Sequence, residues 1–251
     1  MEFDKFCTST PCAQNAVDIF KDRWASKLPR HPEMLAAGEV PHFDLDERPY
    51  FVARKFGGPL KTLQDLRVCE LGPMEAGHTF QLEQLGARVT AIEGNVEAYL
   101  KCLIVKEIFG LRAKFYLGDF VSFLATNEQA FDLIFASGVL YHMTRPAELI
   151  ELMCRSAPRI FLWTHYYEEN RCDGFQQTDV NYGTEVIPHF QKHYGDRAHG
   201  RFWGGLAESA SWLRKEDIVQ LFAENGFFNF EVMEEQADHP HGPCFSAVTW
   251  I

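Results

Sequence analysis

The sequence lacks the features that would place it in a membrane or on a secretion pathway. No apolar run approaches the roughly 18–20 residues that a transmembrane helix needs. The first residues, MEFDKFCTST, contain neither the basic region nor the apolar region of a signal peptide. We therefore expect a cytoplasmic protein without a membrane partner.

Paired cysteine motifs are also missing. The chain has 7 cysteines, an odd number, and none of them forms a CxxC pair. Several lie within apolar segments, where a thiol behaves as a small hydrophobic group. This distribution argues against disulfides and against zinc, and it is typical of a reducing compartment.

Basic residues are too few for a nucleic-acid partner to be expected. The 251 residues include 24 Lys and Arg against 35 Asp and Glu, which gives a net charge of −11. Nucleic-acid binding draws most of its affinity from clustered basic side chains. With 46% hydrophobic residues, the composition is that of one globular domain with a sizeable core, and a homodimer is compatible with it.

An N-terminal extension, residues 1–60, is predicted to be helical. Thr10 and Pro11 can begin a helix, and apolar residues recur at helical spacing from Ala16 to Leu28 until Pro29 ends the pattern. We interpret the apolar stripe as packing over a core domain, in preference to one wall of a site.

From Leu66 onward, short β-like runs alternate with amphipathic stretches. This alternation is typical of a parallel sheet covered by helices on both faces. The predicted strands are 67–71, 88–93, 114–117, 131–136 and 159–164, and the predicted helices are 77–85, 95–109, 119–126 and 145–156. The predicted fold is therefore α/β, with a Rossmann-like, mostly parallel sheet in a core of residues 61–164.

Residues 165–213 interrupt this alternation. Gly, His, Tyr and Trp are frequent there and no clean period is present. A loop-rich insertion of this length is more often a lid or a binding segment than a plain connection. A helix at 214–225 and strands at 227–233 and 244–250 complete the chain as residues 214–251, so we treat 1–251 as a single domain.

Glycines and polar residues cluster where the first four strands end, which is where open α/β sheets bind their ligands. A glycine turn lets the backbone approach a ligand, and the helix that follows offers free N–H groups. A carboxylate that ends the second strand can accept both hydroxyls of a ribose. The candidate cofactor-binding residues are Glu70, Gly72, Gly77, Glu93, Gly94, Asp119, Phe120 and Ser137.

The order and spacing of four segments resemble those of the class I S-adenosylmethionine-dependent methyltransferases. The segments are VCELGPMEAG, TAIEGN, LGDF and FDLIFASGVLYHM. The resemblance implies S-adenosylmethionine (SAM) as the cofactor and a seven-stranded sheet whose last strand is antiparallel, as the strand pair at the C-terminus allows. By position, it places Glu70, Gly72 and Gly77 beside the methionine moiety, Glu93 at the ribose, and Asp119 and Phe120 beside the adenine.

One departure concerns the glycine turn. The usual acidic-x-Gly-x-Gly-x-Gly is replaced by a Gly-Pro-Met-Glu-Ala-Gly loop that is one residue longer, which leaves open which atoms contact the methionine carboxylate. A nicotinamide dehydrogenase is the weaker alternative, because the sequence has no G-x-G-x-x-G run.

The second half of the chain offers residues for a methyl acceptor. His142 follows the fourth strand directly, where it can act as a general base for a hydroxyl or brace the loop, and the sequence leaves both roles open. The candidate acceptor-binding residues are His165, Tyr166, Tyr194, Trp203 and His239.

An acidic pair after the fifth strand suggests a divalent cation. Glu168 and Glu169 carry the oxygen ligands that Mg²⁺ or Mn²⁺ prefers. Such an ion can hold two vicinal hydroxyls and acidify one of them, an arrangement similar to that of divalent-metal-dependent sugar O-methyltransferases. A solvated acidic loop is the competing interpretation.

Together these features predict a methyltransferase that O-methylates a small hydroxylated acceptor, such as a saccharide or a natural product. Two alternatives remain from the sequence. One is a methyltransferase acting on tRNA or protein, and the other is a non-catalytic subunit that binds SAM.

Overall fold

The computed structural model describes residues 6–31, 35–44, 46–182, 185–194 and 205–251. The strands are β1 (Arg67–Leu71), β2 (Arg88–Glu93), β3 (Lys114–Leu117), β4 (Leu133–Ser137), β5 (Arg159–His165), β6 (Gln176–Tyr182), β7 (Glu185–His193), β8 (Ser209–Trp212), β9 (Asn229–Gln236) and β10 (Cys244–Trp250). The α-helices are α1 (Ala13–Val17), α2 (Arg48–Phe56), α3 (Gly77–Gln84), α4 (Val96–Phe109), α5 (Phe120–Thr126), α6 (Pro146–Ser156) and α7 (Lys215–Glu224).

Seven strands form the main sheet, in the order β3-β2-β1-β4-β5-β10-β9. β4 runs parallel to β1 and β5, whereas β10 is antiparallel to both β5 and β9. The first four residues of β4 are buried, as expected for a strand covered on both faces. The predicted α/β fold, with its mostly parallel sheet and antiparallel C-terminal hairpin, is confirmed.

Local capping signals define the helices that follow β2 and β3. The Asn95 side chain accepts a 3.1 Å hydrogen bond from the N–H of Ala98 at the start of α4, and Gly110 ends that helix with a φ of +66°. Asp119 caps α5 through both of its carboxylate oxygens. These are the residue types that favour helix starts and ends.

The described residues divide into two compact units. One comprises residues up to Asp65 together with Pro73–Gly118, and the other comprises Leu66–Gly72 together with Asp119–Ile251. We refer to them as unit 1 and unit 2. The interpretation of residues 1–251 as a single domain stays a prediction.

The N-terminal helix prediction is wrong in its extent. The helix α1 is followed by one 3₁₀ turn, Asp18–Phe20, and Asp22 then takes a left-handed φ of +60°. Trp24 and Leu28 are buried, as the periodicity suggested, but they lie in irregular chain on either side of an isolated β-bridge at Ser26. The N–H of Lys27 donates to the carbonyl of Val40 over 2.8 Å, so the segment pairs with residues downstream instead of continuing as a helix.

A buried ion pair anchors the segment around Ala25 and Ser26 within unit 1. The Lys101 ammonium lies 2.8 Å from a carboxylate oxygen of Glu75, and each side chain is less than a tenth exposed. Glu75 also accepts hydrogen bonds from the N–H groups of Ala25 and Ser26, the shortest of 2.7 Å. The carboxylate therefore fastens the N-terminal segment to the loop that precedes α3.

The insertion contains more regular structure than the sequence suggested. β6, β7 and β8 form a separate antiparallel sheet in the order β6-β7-β8, where a loop-rich segment was expected. β6 has mostly exposed residues with the sequence QQTDVNY, so it carries no alternating apolar pattern that would identify a strand. β4 also begins two residues later than predicted, and β9 runs from Asn229 to Gln236 instead of 227–233.

A helix that crosses a bilayer needs about 20 apolar residues. Within the part of the chain that the structure describes, no helix meets this requirement.

Removing the Glu75 carboxylate should destabilise the protein. Glu75→Ala leaves the Lys101 ammonium with the part-exposed carboxylate of Glu97 as its ion partner and removes the acceptor of the Ala25 and Ser26 N–H groups. Breaking a buried pair costs about 3–5 kcal/mol. We expect a loss of that size in the free energy of unfolding, measured by urea denaturation. The control, Glu47→Ala, removes an exposed pair with Arg54 and should cost under about 1 kcal/mol; equal losses in the two variants would contradict the anchoring role.

Candidate functional site

The turn that leaves β1 depends on a glycine. Glu70 is buried near the end of the strand, and Gly72 follows with a left-handed φ of +66°. A Cβ atom at Gly72 would lie 2.8 Å from Cγ1 of Val139, closer than packed carbon atoms tolerate. Gly72 therefore keeps the backbone of this turn close to the loop after β4.

Within unit 1, the rest of the glycine loop is shaped by residues of the N-terminal segment. Met74 and Ala76 take left-handed φ values of 56° and 64°, which are uncommon for residues other than glycine. Gly77 begins α3, where a Cβ atom would lie 2.9 Å from the carbonyl oxygen of His42. Glu75 lies in this loop and accepts hydrogen bonds from Ala25 and Ser26 of the N-terminal segment. The longer loop therefore provides a side chain that holds the N-terminal segment.

Glu93 is a buried carboxylate at the end of β2. Its two oxygens accept hydrogen bonds of 3.0 Å from the N–H of Met74 and 2.8 Å from the N–H of Asn95. Burial raises the pKa of Glu93, while the hydrogen bonds from the N–H groups of Asn95, Met74 and Gly94 counteract this rise. The side chain thus ties the end of β2 to the glycine loop.

Asp119 and Phe120 lie at the start of α5. The Asp119 carboxylate accepts hydrogen bonds from the N–H groups of Val121 and Ser122 and from the Ser122 hydroxyl, over 2.7–3.1 Å. Asp119 is exposed and Phe120 is half-buried. The cap of α5 therefore occupies much of the hydrogen-bonding capacity of the Asp119 carboxylate.

His142 ends a 3₁₀ turn, Leu140–His142, which follows β4 and its last residue, Ser137. Its Nδ1 lies 2.5 Å from the hydroxyl oxygen of Tyr194, which directly follows β7. A Cβ atom at Gly205 would collide with the carbonyl oxygen of His142, so the insertion meets this turn at close range. Burial, with smaller contributions from the charges of His165 and Lys192, lowers the pKa of His142 to about 3.

Aromatic rings surround His165 at the end of β5. Its imidazole stacks on Trp212 at 5.1 Å with an interplanar angle of 6°, and the edge-to-face partner Tyr141 lies at 4.7 Å. Trp163 and His239 lie 5.2 and 5.0 Å away between ring centroids. Burial lowers the pKa of His165 to about 4, so its imidazole is neutral at pH 7.

Nδ1 of His165 is held by the hairpin between β9 and β10. This nitrogen lies 2.8 Å from the carbonyl oxygen of Gly242. Because a carbonyl can only accept a hydrogen bond, Nδ1 carries the proton and Nε2 carries the lone pair. The β9–β10 hairpin therefore sets the tautomer of His165.

The remaining predicted residues lie in different surroundings. Tyr166 is buried against Phe245 and donates a 2.9 Å hydrogen bond to Glu235, and burial raises the pKa of its phenol. Glu168 pairs with Arg171 and is exposed, as is Glu169. Trp203 lies outside the described residues. The roles predicted for these residues in acceptor or metal binding stay predictions.

A family model and several solved structures match the chain. The model, described as a methyltransferase domain, matches residues 63–226. The chain belongs to this family. The N-terminal domain of EvdMO1 with SAH bound is similar to it at 21% identity with a TM-score of 0.72, covering 94% of each chain. Magnesium protoporphyrin IX methyltransferase (ChlM) from Synechocystis PCC 6803 with bound SAM is similar at 14% identity with a TM-score of 0.55, covering 98% of this chain and 99% of that one.

A third solved structure, a S-adenosylmethionine-dependent methyltransferase from Clostridium acetobutylicum ATCC 824, is similar at 11% identity with a TM-score of 0.54, covering 83% of this chain and 93% of that one. No curated protein sequence matches the chain. At these identities, the likeness to the solved structures shows a shared fold and no more.

The buried carboxylate of the methyltransferase has capacity for a hydroxylated ligand. An ionised carboxylate offers about four lone-pair sites, and the backbone N–H groups of Met74, Asn95 and Gly94 hydrogen-bond to Glu93. About one site therefore remains, so Glu93 is able to accept a hydrogen bond from one ligand hydroxyl without giving up a backbone contact. The other predicted cofactor positions are divided between the units: Gly77 and Gly94 belong to unit 1, and unit 2 contains Glu70, Gly72, Asp119, Phe120 and Ser137.

Three residues around His165 in the methyltransferase were missed as acceptor-site candidates from the sequence. Tyr141, Trp163 and Trp212 contribute rings that contact His165. Tyr141 stands beside His142 in the GVLYH segment, which is a signal that could have identified it. Trp212 is buried, and its sequence position alone did not indicate the stacking contact.

Proposed function

We propose that the protein transfers a methyl group from SAM to a hydroxyl of a small polar acceptor, with His142 as the general base. The observation that carries this proposal is the partly buried contact between Nδ1 of His142 and the hydroxyl of Tyr194, beside the ring of Tyr141. Membership of the methyltransferase family supports SAM as the methyl donor. The structures of the relatives with bound SAH or SAM support it as well.

The proposed reaction is an in-line displacement. The acceptor oxygen forms a bond to the methyl carbon as the bond from that carbon to the sulfonium breaks, and SAH leaves with the electron pair. The acceptor proton moves to Nε2 of His142. In this arrangement Nδ1–H donates to Tyr194, which leaves the lone pair on Nε2 directed at the acceptor.

The ring contacts in unit 2 support a sugar or another hydroxylated ring as the acceptor. Tyr141, Trp163 and His239 each contact the His165 ring. Trp163 also contacts the rings of Tyr141 and His239. Aromatic faces pack on the apolar faces of sugars, while imidazole nitrogens hydrogen-bond to their hydroxyls. The N-terminal domain of EvdMO1, a relative with this fold, was solved in the presence of SAH and D-fucose.

The divalent cation is a separate part of the proposal. Glu168 and Glu169 would supply its carboxylate ligands, although Arg171 already pairs with Glu168. Transfer of labelled methyl groups into a pool of sugars and metabolites tests both parts of the proposal. Incorporation supports O-methylation, and full incorporation in excess EDTA would exclude the requirement for Mg²⁺ or Mn²⁺.

The same assay addresses the alternatives. The net charge of −11 disfavours tRNA as the acceptor, and labelled RNA or protein would contradict the small-molecule proposal. If SAM binds but no acceptor is labelled, the non-catalytic subunit becomes the better account. We expect activity without a nucleic-acid or membrane partner, and a homodimer is compatible with it.

Loss of the Glu93 carboxylate should weaken SAM binding. Glu93→Ala removes charge-assisted hydrogen bonds worth about 1.5–3 kcal/mol, so the Kd should rise about 10- to 100-fold in calorimetry. The matched control is Glu107→Ala, which removes an exposed glutamate of α4 in the same unit and should leave the Kd unchanged. An unchanged Kd in Glu93→Ala would mean that the ribose lies elsewhere.

Replacing the base should slow the reaction without affecting the cofactor. His142→Asn removes general-base catalysis, which contributes about 10²–10⁴-fold, so kcat should fall within that range while the Kd for SAM is unchanged. Tyr194→Phe should give a smaller loss of kcat, because the imidazole remains but loses its orienting partner. His193→Asn, at an exposed neighbouring position, is the control; retained kcat in His142→Asn would assign that histidine to a bracing role.

The low basicity of His142 predicts an unusual pH profile. The unprotonated imidazole is the active form, so activity is lost only as the pH falls through the pKa of His142, which is about 3 instead of 6.5. We expect kcat/KM to stay level from about pH 8 down to about pH 5. A fall centred near pH 6.5 that disappears in His142→Asn would contradict this assignment.

A further inference from the structure

Three potential metal ligands meet beside the β9–β10 hairpin. His165, His239 and Cys244 each offer one ligand atom, and these atoms lie within 4.8 Å of one another. We call them the His–His–Cys group. The sequence has no CxxC motif, but ligands that are far apart in sequence can still meet in the fold.

The antiparallel ladder brings two members of the group together. Cys244 is the direct partner of His165 in the pairing of β10 with β5. Side chains of directly opposed residues project from the same face of a sheet, with Cβ atoms about 4.5–5.5 Å apart. His239 reaches the pair from the hairpin loop, where its ring centroid lies 5.0 Å from that of His165.

The environment of His165 resembles that of a metal ligand. A metal-bound imidazole usually donates its other ring N–H to a carbonyl or carboxylate, which fixes the ring and its tautomer. The contact of Nδ1 with the Gly242 carbonyl has this arrangement and leaves the Nε2 lone pair available. Stacking on Trp212 holds the ring from a second side.

The donor set selects the class of ion. Two imidazole nitrogens and one thiolate suit Zn²⁺, whereas Mg²⁺ and Ca²⁺ prefer oxygen ligands. Ligand atoms around a tetrahedral Zn²⁺ are about 3.5 Å apart, given bond lengths of about 2.0–2.3 Å. His239 is half-buried on a loop and gives up only a 3.3 Å hydrogen bond from the N–H of His241, so it can make the required approach.

We propose that His165, His239 and Cys244 form a Zn²⁺ site with three protein ligands. Binding releases the thiol proton of Cys244, and the fourth position of the tetrahedron is available to an oxygen of water or of a hydroxyl. This site lies on different residues from the Glu168 and Glu169 prediction. It shares His165 and His239 with the proposed acceptor site, where the ion, in place of the two imidazole nitrogens, would hold an acceptor hydroxyl at its fourth position. Its test does not depend on methyl transfer.

Co²⁺ is a suitable spectroscopic probe for this site in the full-length protein. Titration should give one bound Co²⁺ per chain, with a near-ultraviolet thiolate-to-cobalt charge-transfer band that Zn²⁺ abolishes by displacement. Cys244→Ser should remove this band, and His239→Ala should weaken Co²⁺ binding at least tenfold. The charge-transfer band requires a sulfur ligand, so it reports the site without any assay of methylation.

Matched controls keep the proposal falsifiable. Cys172→Ser alters another buried cysteine of unit 2, and His241→Ala alters an exposed histidine of the same hairpin loop; both should keep the band and the affinity. Because Cys244 is buried, circular dichroism checks its variant for folding, and His239→Ala tests the site at a half-exposed position. A missing band in the parent protein, or a band that survives unchanged in Cys244→Ser and His239→Ala, would overturn the proposal.

Discussion

The buried Glu75 carboxylate fastens the segment around Ala25 and Ser26 to the loop before α3 within unit 1. A charge removed from water is costly unless it is paired and hydrogen-bonded, and Glu75 satisfies this condition with Lys101 and two backbone N–H groups. On either side of Glu75, Met74 and Ala76 have left-handed backbone conformations. The extra length of the glycine loop is therefore explained by attachment of the N-terminal segment within unit 1.

In unit 2 an analogous constraint acts on an imidazole. His165 is buried among rings, and the contacts of its Nδ1 with the carbonyl oxygens of Gly242 and Pro243 determine the tautomer. Gly242 has a φ of +111°, and a Cβ atom there would lie 2.8 Å from the Trp212 ring. A single glycine thus allows the hairpin loop and the insertion to approach the same histidine.

Much of the sheet was predictable because apolar periodicity and capping residues act locally. The ranges of β1, β2, β3 and β10 agree with the predicted ones, and Asn95 and Gly110 delimit α4 as expected. Periodicity reports burial, however, and burial does not require a helix: Trp24 and Leu28 are buried in irregular chain. The polar strand β6 left no apolar pattern to detect.

The candidate site was predictable only in part. The turn glycine and the acid at Glu93 could be identified from their positions after strands. The pairing of His165 with Cys244 depends on the register of two antiparallel strands that are far apart in sequence, and no local pattern encodes that register. The contact between His142 and Tyr194 likewise depends on how the insertion folds back on the turn after β4.

The burial of His142 has a consequence for the timing of proton transfer. An imidazole of such low basicity cannot convert an alcohol into an alkoxide before methylation, because that equilibrium lies far toward the neutral alcohol. The proton must therefore leave the oxygen while the carbon–oxygen bond is forming, when the oxygen has become strongly acidic. Acceptors with intrinsically acidic hydroxyls, such as hemiacetal or phenolic groups, would gain most from a base of this kind.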